Sequence, residues 1–299
     1  MNKTAKNRIR LPLPQKIFNV FNILFLLMIV VITLYPFWHA LMVSISSPSR
    51  YMKHNGAMLT PLDIDFASYS AVFTNPNMGY GFFNSFVNVA VGVIVGLLLT
   101  IMAAYALTRK NFYFKRPLMF LMVLTMFISG GLIPMYLTVD SLNLINTRWS
   151  VILPMLINTY NVVVTRVFFS SIPDSLEESA RLDGANDLVI LFKIFVPISM
   201  PIIAVVTLFI AVDRWNAWFY PMIFLNKRSL FPVSLILREI LIANDTSAMT
   251  ANVSVGDKEP IAETIKYATM IVSILPVVAI YPFLQKYFIQ GMMLGAVKE

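Results

Sequence analysis

The sequence predicts an all-α integral membrane protein that crosses the bilayer six times. Three observations carry that reading. Of 299 residues, 58% are hydrophobic and 13% charged, with a mean hydropathy of +0.74; a soluble domain carries about twice that share of charge. The apolar residues gather into six long runs nearly free of charge, each near or above the ~20 residues that a ~30 Å hydrocarbon layer requires. The Lys and Arg residues concentrate in alternate connecting segments, as they do when they set membrane orientation.

The first run, 17–45, follows Lys3, Lys6, Arg8, Arg10 and Lys16 in a basic segment 1–16. It is too long for a signal peptide and lacks a small-residue cleavage site, so it is expected to stay as a span. The second, 82–107, closes on Arg109 and Lys110, and its Gly92 and Gly96 invite close approach of a neighbouring helix. The third is 117–139. The fourth, 149–171, is interrupted only by Arg166, whose stem can snorkel from a helix end. The fifth, 194–225, carries Asp213 and Arg214, and the sixth is 267–286. Prolines inside these runs are tolerated better in membrane helices than in soluble ones. The whole spanning domain is expected over 17–290, with a tail at 291–299.

An even number of spans puts both termini on one side. Of the 23 Lys and Arg, 14 fall in the segments on the side of the termini, while nine of the 15 acidic residues fall in opposite or intramembrane segments. Both termini are therefore expected in the cytoplasm, and the net charge of +8 reads as topology control, not as a nucleic-acid surface. With no Cys and two His, thiolate chemistry and histidine metal sites fall away. No Gly-x4-Gly-Lys-Ser/Thr loop is present to cradle nucleotide, and none of the hydrolase motifs occurs.

The loop between the fourth and fifth spans, 172–197, is polar and structured. Ser175 followed by Glu178 reads as a capping box, Leu176, Ala180 and Leu182 as a small apolar stripe, and Gly184 as a left-handed helix stop. Asn186 or Asp187 is placed to cap a second helix. A plain connector and a force-transmitting element both fit that pattern. The run Glu178-Ser179-Ala180, three residues, Gly184, nine residues, Ile194-Phe195-Val196-Pro197 resembles the EAA motif of ATP-binding-cassette (ABC) importer permeases, with Ser179 and Val196 as the departures. Ala104-Tyr105-Ala106-Leu107-Thr108-Arg109 and the tail from Gln285 to Lys298 are similar to the maltose-type carbohydrate permeases. Ser129-Gly130-Gly131-Leu132-Ile133-Pro134-Met135-Tyr136 resembles the branch that handles complex or acidic oligosaccharides in bacteria.

The resemblance implies the type I ABC importer permease fold with a cytoplasmic coupling helix. It implies a non-catalytic channel subunit in the bacterial cytoplasmic membrane, paired with a second homologous permease. Two ATP-binding-cassette ATPases holding ATP and Mg²⁺, and an extracytoplasmic solute-binding protein or lipoprotein delivering an oligosaccharide, complete the assembly; no cofactor is implied on this chain. Glu177, Glu178, Ser179, Ala180, Asp183, Gly184 and Pro197 would form the ATPase coupling site. Gly291, Gly295 and Lys298 would touch the ATPase from the tail.

Candidates for a substrate path are the polar residues inside spans: Asn84, Asn88, Asn158, Tyr160, Asn161, Asp213, Arg214 and Asn216, with Trp215, Trp218 and Tyr220 as stacking rings. Asp213 and Arg214 are adjacent on a helix, do not face each other, and need separate partners; an interface with the second permease is the other reading. An ion-coupled secondary transporter acting without an ATPase, with Asp213 as coupling carboxylate, is the competing function.

Overall fold

The computed structural model describes residues 12–242 and 258–296, without the side chains of 258–260 and 281–296. Among the described residues the chain is helical, with a lone bridge between Ser46 and Ile64. The helices used below are α1 (Leu13–Ser44), α2 (Pro76–Thr108), α3 (Lys115–Phe127), α4 (Leu132–Ser141), α5 (Thr159–Phe169), α6 (Asp174–Leu182), α7 (Met200–Asn216), α8 (Val233–Leu241) and α9 (Lys258–Ala296).

The chain divides into two compact units, one drawn from 1–70 and 252–271, the other from 71–251 and 272–299. In the first, α1 is exposed along nearly its whole apolar length and buried only at Ala40, Met42, Val43 and Ser44. An apolar rod with so little protein around it is stable only in lipid. Its buried end packs with Met58, Tyr51 and Tyr267, and two hydroxyl pairs fasten the unit, Ser68 Oγ donating to Thr264 Oγ1 at 2.6 Å and Ser44 with Tyr69 at 2.8 Å.

The second unit is built around α2. This helix begins six residues before the apolar run because Asn75 accepts a hydrogen bond from the Asn77 amide at 2.9 Å and Pro76 occupies the first turn, the two residues best suited to a helix start. Its inward face carries Gly81, Asn84, Ser85, Asn88, Gly92, Gly96 and Thr100. A side chain at Gly96 would stand 2.7 Å from the Leu156 carbonyl oxygen, so only glycine allows this backbone approach. At the other end Tyr105 and Leu107 join Phe169 of α5 with Ile190, Leu191 and Phe195 of the 172–197 loop in the main apolar core.

Three of the expected spans are broken rods. The segment 117–139 folds as α3 and α4, which meet at 117° across Ile128–Gly131. Gly131 takes φ +87° there, a conformation that L side chains rarely adopt. The segment 149–171 bends by 44° between Trp149–Met155 and α5, where Asn158 ends the break by accepting from the Tyr160 amide at 2.9 Å. The segment 194–225 does not start as an α-helix. Leu191–Phe195 is π-helical, an 88° bend follows at Ser199 between Pro197 and Pro201, and the rod ends at Asn216. The described helices give three unbroken candidate spans, or six when each bent pair is counted as one.

Gly96→Ala is expected to force α2 away from Leu156 and to cost about 1–3 kcal/mol of stability. Thermal unfolding in detergent measures it, and an unchanged midpoint would show that the close approach carries no weight.

Candidate functional sites: the 172–197 loop and the membrane cavity

The 172–197 loop forms a short helix, a sharp stop and a second helix. α6 starts after Pro173 and not at Ser175, and no side chain caps it. The Ser175/Glu178 capping box therefore does not form: Pro173 already turns the chain, and Asp174 and Glu177 supply the acidic first turn that favours a helix start. The apolar stripe is not buried either, since Leu182 is 90% exposed and Leu176 42%; of the three only Ala180 packs on the core. The stop is as expected. Gly184 takes φ +81°, its amide donates to Arg181 O at 3.0 Å and the Ala185 amide donates to Ala180 O at 2.9 Å, the paired bonds of a Schellman motif. Asn186 then caps Asp187–Ile190, accepting from the Val189 amide at 2.9 Å.

A closed ring of polar contacts fixes this loop to the end of α2. Arg109 lies over the rings of Tyr105 and Phe195, 4.1 and 4.7 Å from their centroids, and donates to Glu177. Glu177 also accepts from Arg181 Nε at 3.0 Å, Arg181 Nη2 reaches Asp187 Oδ1 at 2.5 Å, and the Tyr105 hydroxyl donates to the same oxygen at 3.2 Å. Glu177 is thus turned inward with its side chain 19% exposed, while Glu178, Ser179 and Asp183 face solvent. Pro197 is exposed next to the 88° bend. Lys110 and Asp174 pair beside the ring at 2.6 Å. The hydrogen bond and charge of Lys110 hold the Asp174 carboxyl below its ordinary range, so this contact is present at neutral pH and fades as pH falls through that lowered value. Being fully exposed, the pair adds little to stability.

The motif drew attention to Glu178, whereas the internal anchor is Glu177 with Arg109. The Glu177 to Arg181 spacing of four and a basic residue closing α2 were the available signals. Of the tail candidates, Gly291 and Gly295 are described only as helical backbone and Lys298 lies outside the described residues.

Inside the membrane, a cavity of about 830 Å³ is lined by Asn158, Tyr160, Asn161, Asp213, Arg214, Asn216, Trp218 and Tyr220 among others. Candidates from two segments of the chain, 155–161 and 208–220, therefore meet at one place, because the breaks at Asn158 and Ala217 end α5 and α7 beside each other. Three candidates lie elsewhere. Trp215 is buried against Phe82 and Phe86 and donates to Ser273 O at 3.2 Å. Asn88 is buried away from the cavity lining. Asn84 donates to Ser229 O at 2.8 Å and Phe231 O at 3.1 Å and accepts from Arg148 at 2.8 Å, tying α2 to the start of α8. It also lines a separate cavity of about 700 Å³ with Arg148 and Tyr80. The Gly130-Gly131 break and Pro134 line a further cavity of about 410 Å³ that shares Phe219 and Tyr220 with the first. Phe219 and Arg148 escaped sequence reading, the one as an ordinary apolar residue and the other as a loop charge.

Residues 92–294 match the family described as "Binding-protein-dependent transport system inner membrane component". The chain belongs to this family. The permease is 38% identical over 286 residues to the polygalacturonan/rhamnogalacturonan transport system permease protein YtcP of Bacillus subtilis, covering 95% of this chain and 99% of the relative. It is 35% identical over 287 residues to the protein LplC of the same organism, covering 95% of each. Among solved structures, a bacterial ABC transporter involved in import of the acidic polysaccharide alginate superposes with a TM-score of 0.87 at 30% identity, covering 94% of this chain and 100% of that one. The permease is therefore a membrane component of a binding-protein-dependent transporter.

Glu177→Gln is expected to loosen the permease's loop by about 1–3 kcal/mol, because it weakens two arginine contacts at once. Limited proteolysis across 172–197 reads this directly. Cleavage at the wild-type rate would mean the ring does not hold the loop.

Proposed function

We propose that this chain is one of two permease subunits of an ATP-driven importer. It passes an oligosaccharide that an extracytoplasmic binding protein delivers, and ATPases that bind ATP and Mg²⁺ drive it through α6. Both termini and the 172–197 loop are assigned to the cytoplasm on the Lys/Arg asymmetry. One observation carries the reading: α6 is held from behind by Glu177 and Ala180, yet offers Glu178, Ser179 and Leu182 to solvent. A side chain as apolar as leucine left 90% exposed on a helix anchored through Glu177 and stopped by Gly184 suits a docking face, and Glu178 beside it suits a basic partner.

Closure of the ATPases would displace α6, and the ring would carry that displacement to α2 and so to the cavity. Such a switch alternates access to the two sides without any covalent step on this chain. The saccharide class is supported by the names of YtcP and the alginate importer and by the cavity itself. Its rings, Tyr160, Trp218, Phe219 and Tyr220, alternate with the amides of Asn158, Asn161 and Asn216, a lining suited to stacking sugar faces and bonding hydroxyls.

Purification of the tagged chain in mild detergent is expected to recover an ATPase and a second permease. Glu178→Lys is expected to lose the ATPase and abolish uptake while keeping the second permease. Retention of the ATPase at wild-type yield by Glu178→Lys would count against docking through α6.

A further inference from the structure

Trp218 stands where the cavity lining is least constrained by its own helix. It lies in the gap between the end of α7 at Asn216 and the short helix Phe219–Phe224, so no continuous rod sets the direction of its ring. α8 supplies the constraint. Ser234 and Arg238, four residues apart and so on one face of that helix, both reach the gap. Ser234 Oγ donates to the Ala217 carbonyl at 2.6 Å, and the Arg238 guanidinium carbon lies 4.8 Å from the centre of the Trp218 ring.

Salt bridging does not account for Arg238. Among the described residues it makes no ion pair, since its neighbour Glu239 pairs with Arg228 at 3.5 Å, and its buried Nε has no hydrogen-bond partner. An unpaired buried donor costs stability that an apolar side chain of similar length would not. What the guanidinium gains in exchange is the indole, the best ring for a cation to lie over, in a place partly shielded from water.

An indole has two faces. Trp218 lines the 830 Å³ cavity and Arg238 does not, so the guanidinium backs the ring and the cavity meets its uncovered side. The ring keeps 38% of its surface exposed. One face of a pyranose carries axial C–H groups and packs on an aromatic face, and Asn158, Asn161 and Asn216 stand in the same lining for the hydroxyls.

We propose that Trp218, backed by Arg238, is a sugar-stacking subsite on this chain itself, with Arg238 as a positioning residue that acts through Trp218. The inference rests on the importer reading above and adds which ring of the cavity carries the cargo and what holds that ring in place.

The test uses the assembled importer with its binding protein in proteoliposomes charged with ATP. Maltotriose, galactotriose and trigalacturonate are supplied in turn, and the one taken up fastest is the probe. The readout is sugar taken up per ATP hydrolysed, which separates lost stacking from lost assembly because misassembly lowers uptake and hydrolysis together. Arg238→Met is expected to lower this ratio roughly three- to tenfold, the loss of one cation–π contact, and Arg238→Lys to restore part of it. Trp218→Leu is expected to lower it at least as far, Trp218→Phe less. Adding Arg238→Met to Trp218→Leu is expected to change nothing further, as it must if one residue acts through the other. A wild-type ratio in assembled Arg238→Met or Trp218→Leu importers, or a further fall in the double variant, overturns the proposal. Should Arg238→Met fail to assemble, Arg238→Lys and Trp218→Leu decide, and a wild-type ratio in both overturns it. An assembled importer that takes up none of the three sugars overturns the subsite alone, whereas a chain that purifies with no ATPase and no second permease ends the importer reading and this one with it.

Discussion

The membrane part of this permease depends on how closely other segments can approach α2. Lipid offers helices no hydrophobic reason to associate, so contact depends on packing and on small residues that let backbones meet. Three glycines on α2 serve three different neighbours. Gly81 admits Ile236 and the backbone of Val233 from α8, Gly92 admits the stem of Arg214 from α7, and Gly96 admits the carbonyl of Leu156. The cavity opens where these neighbours stop. Its lining comes from the ends of α5 and α7, which are ends because asparagine and proline chemistry breaks the rods there.

Much of this was legible in the sequence, and the reasons are local. Long uncharged runs locate spans because the hydrocarbon layer fixes their length, Gly184 stops α6 because its φ is positive, and Asn186 caps because its side chain mimics a backbone acceptor. The bends were not legible. Prolines at 197 and 201 and glycines at 130 and 131 mark places where a helix can break, but the angle is set by what packs on either side. The Ser175 capping box failed for a similar reason, as Pro173 had already started the helix one residue earlier.

The candidate site divides along the same line. Eight polar or aromatic residues from separate segments converge on one cavity, as expected if intramembrane polarity marks function. Asn84 and Trp215 instead satisfy backbone carbonyls of neighbouring segments. Both uses obey one rule, that polar groups in lipid need partners, and sequence alone does not say whether the partner is protein or cargo. Glu177 and Glu178 show the same ambiguity at a single residue's resolution: adjacent positions on α6 point about 100° apart, so one is locked inward and the other is offered outward.

The 117° turn between α3 and α4 has a consequence for hydration. The 13 residues of α3 carry the chain about 20 Å, short of the ~30 Å hydrocarbon thickness, so Ser129-Gly130-Gly131 leaves helical bonding at membrane depth. Bare peptide groups are tolerated there only when enclosed by protein or bathed by a wet cavity, and this break lines one. Water in that cavity would satisfy these groups, and a sugar passing such a place would exchange one set of hydrogen bonds for another instead of being stripped into oil.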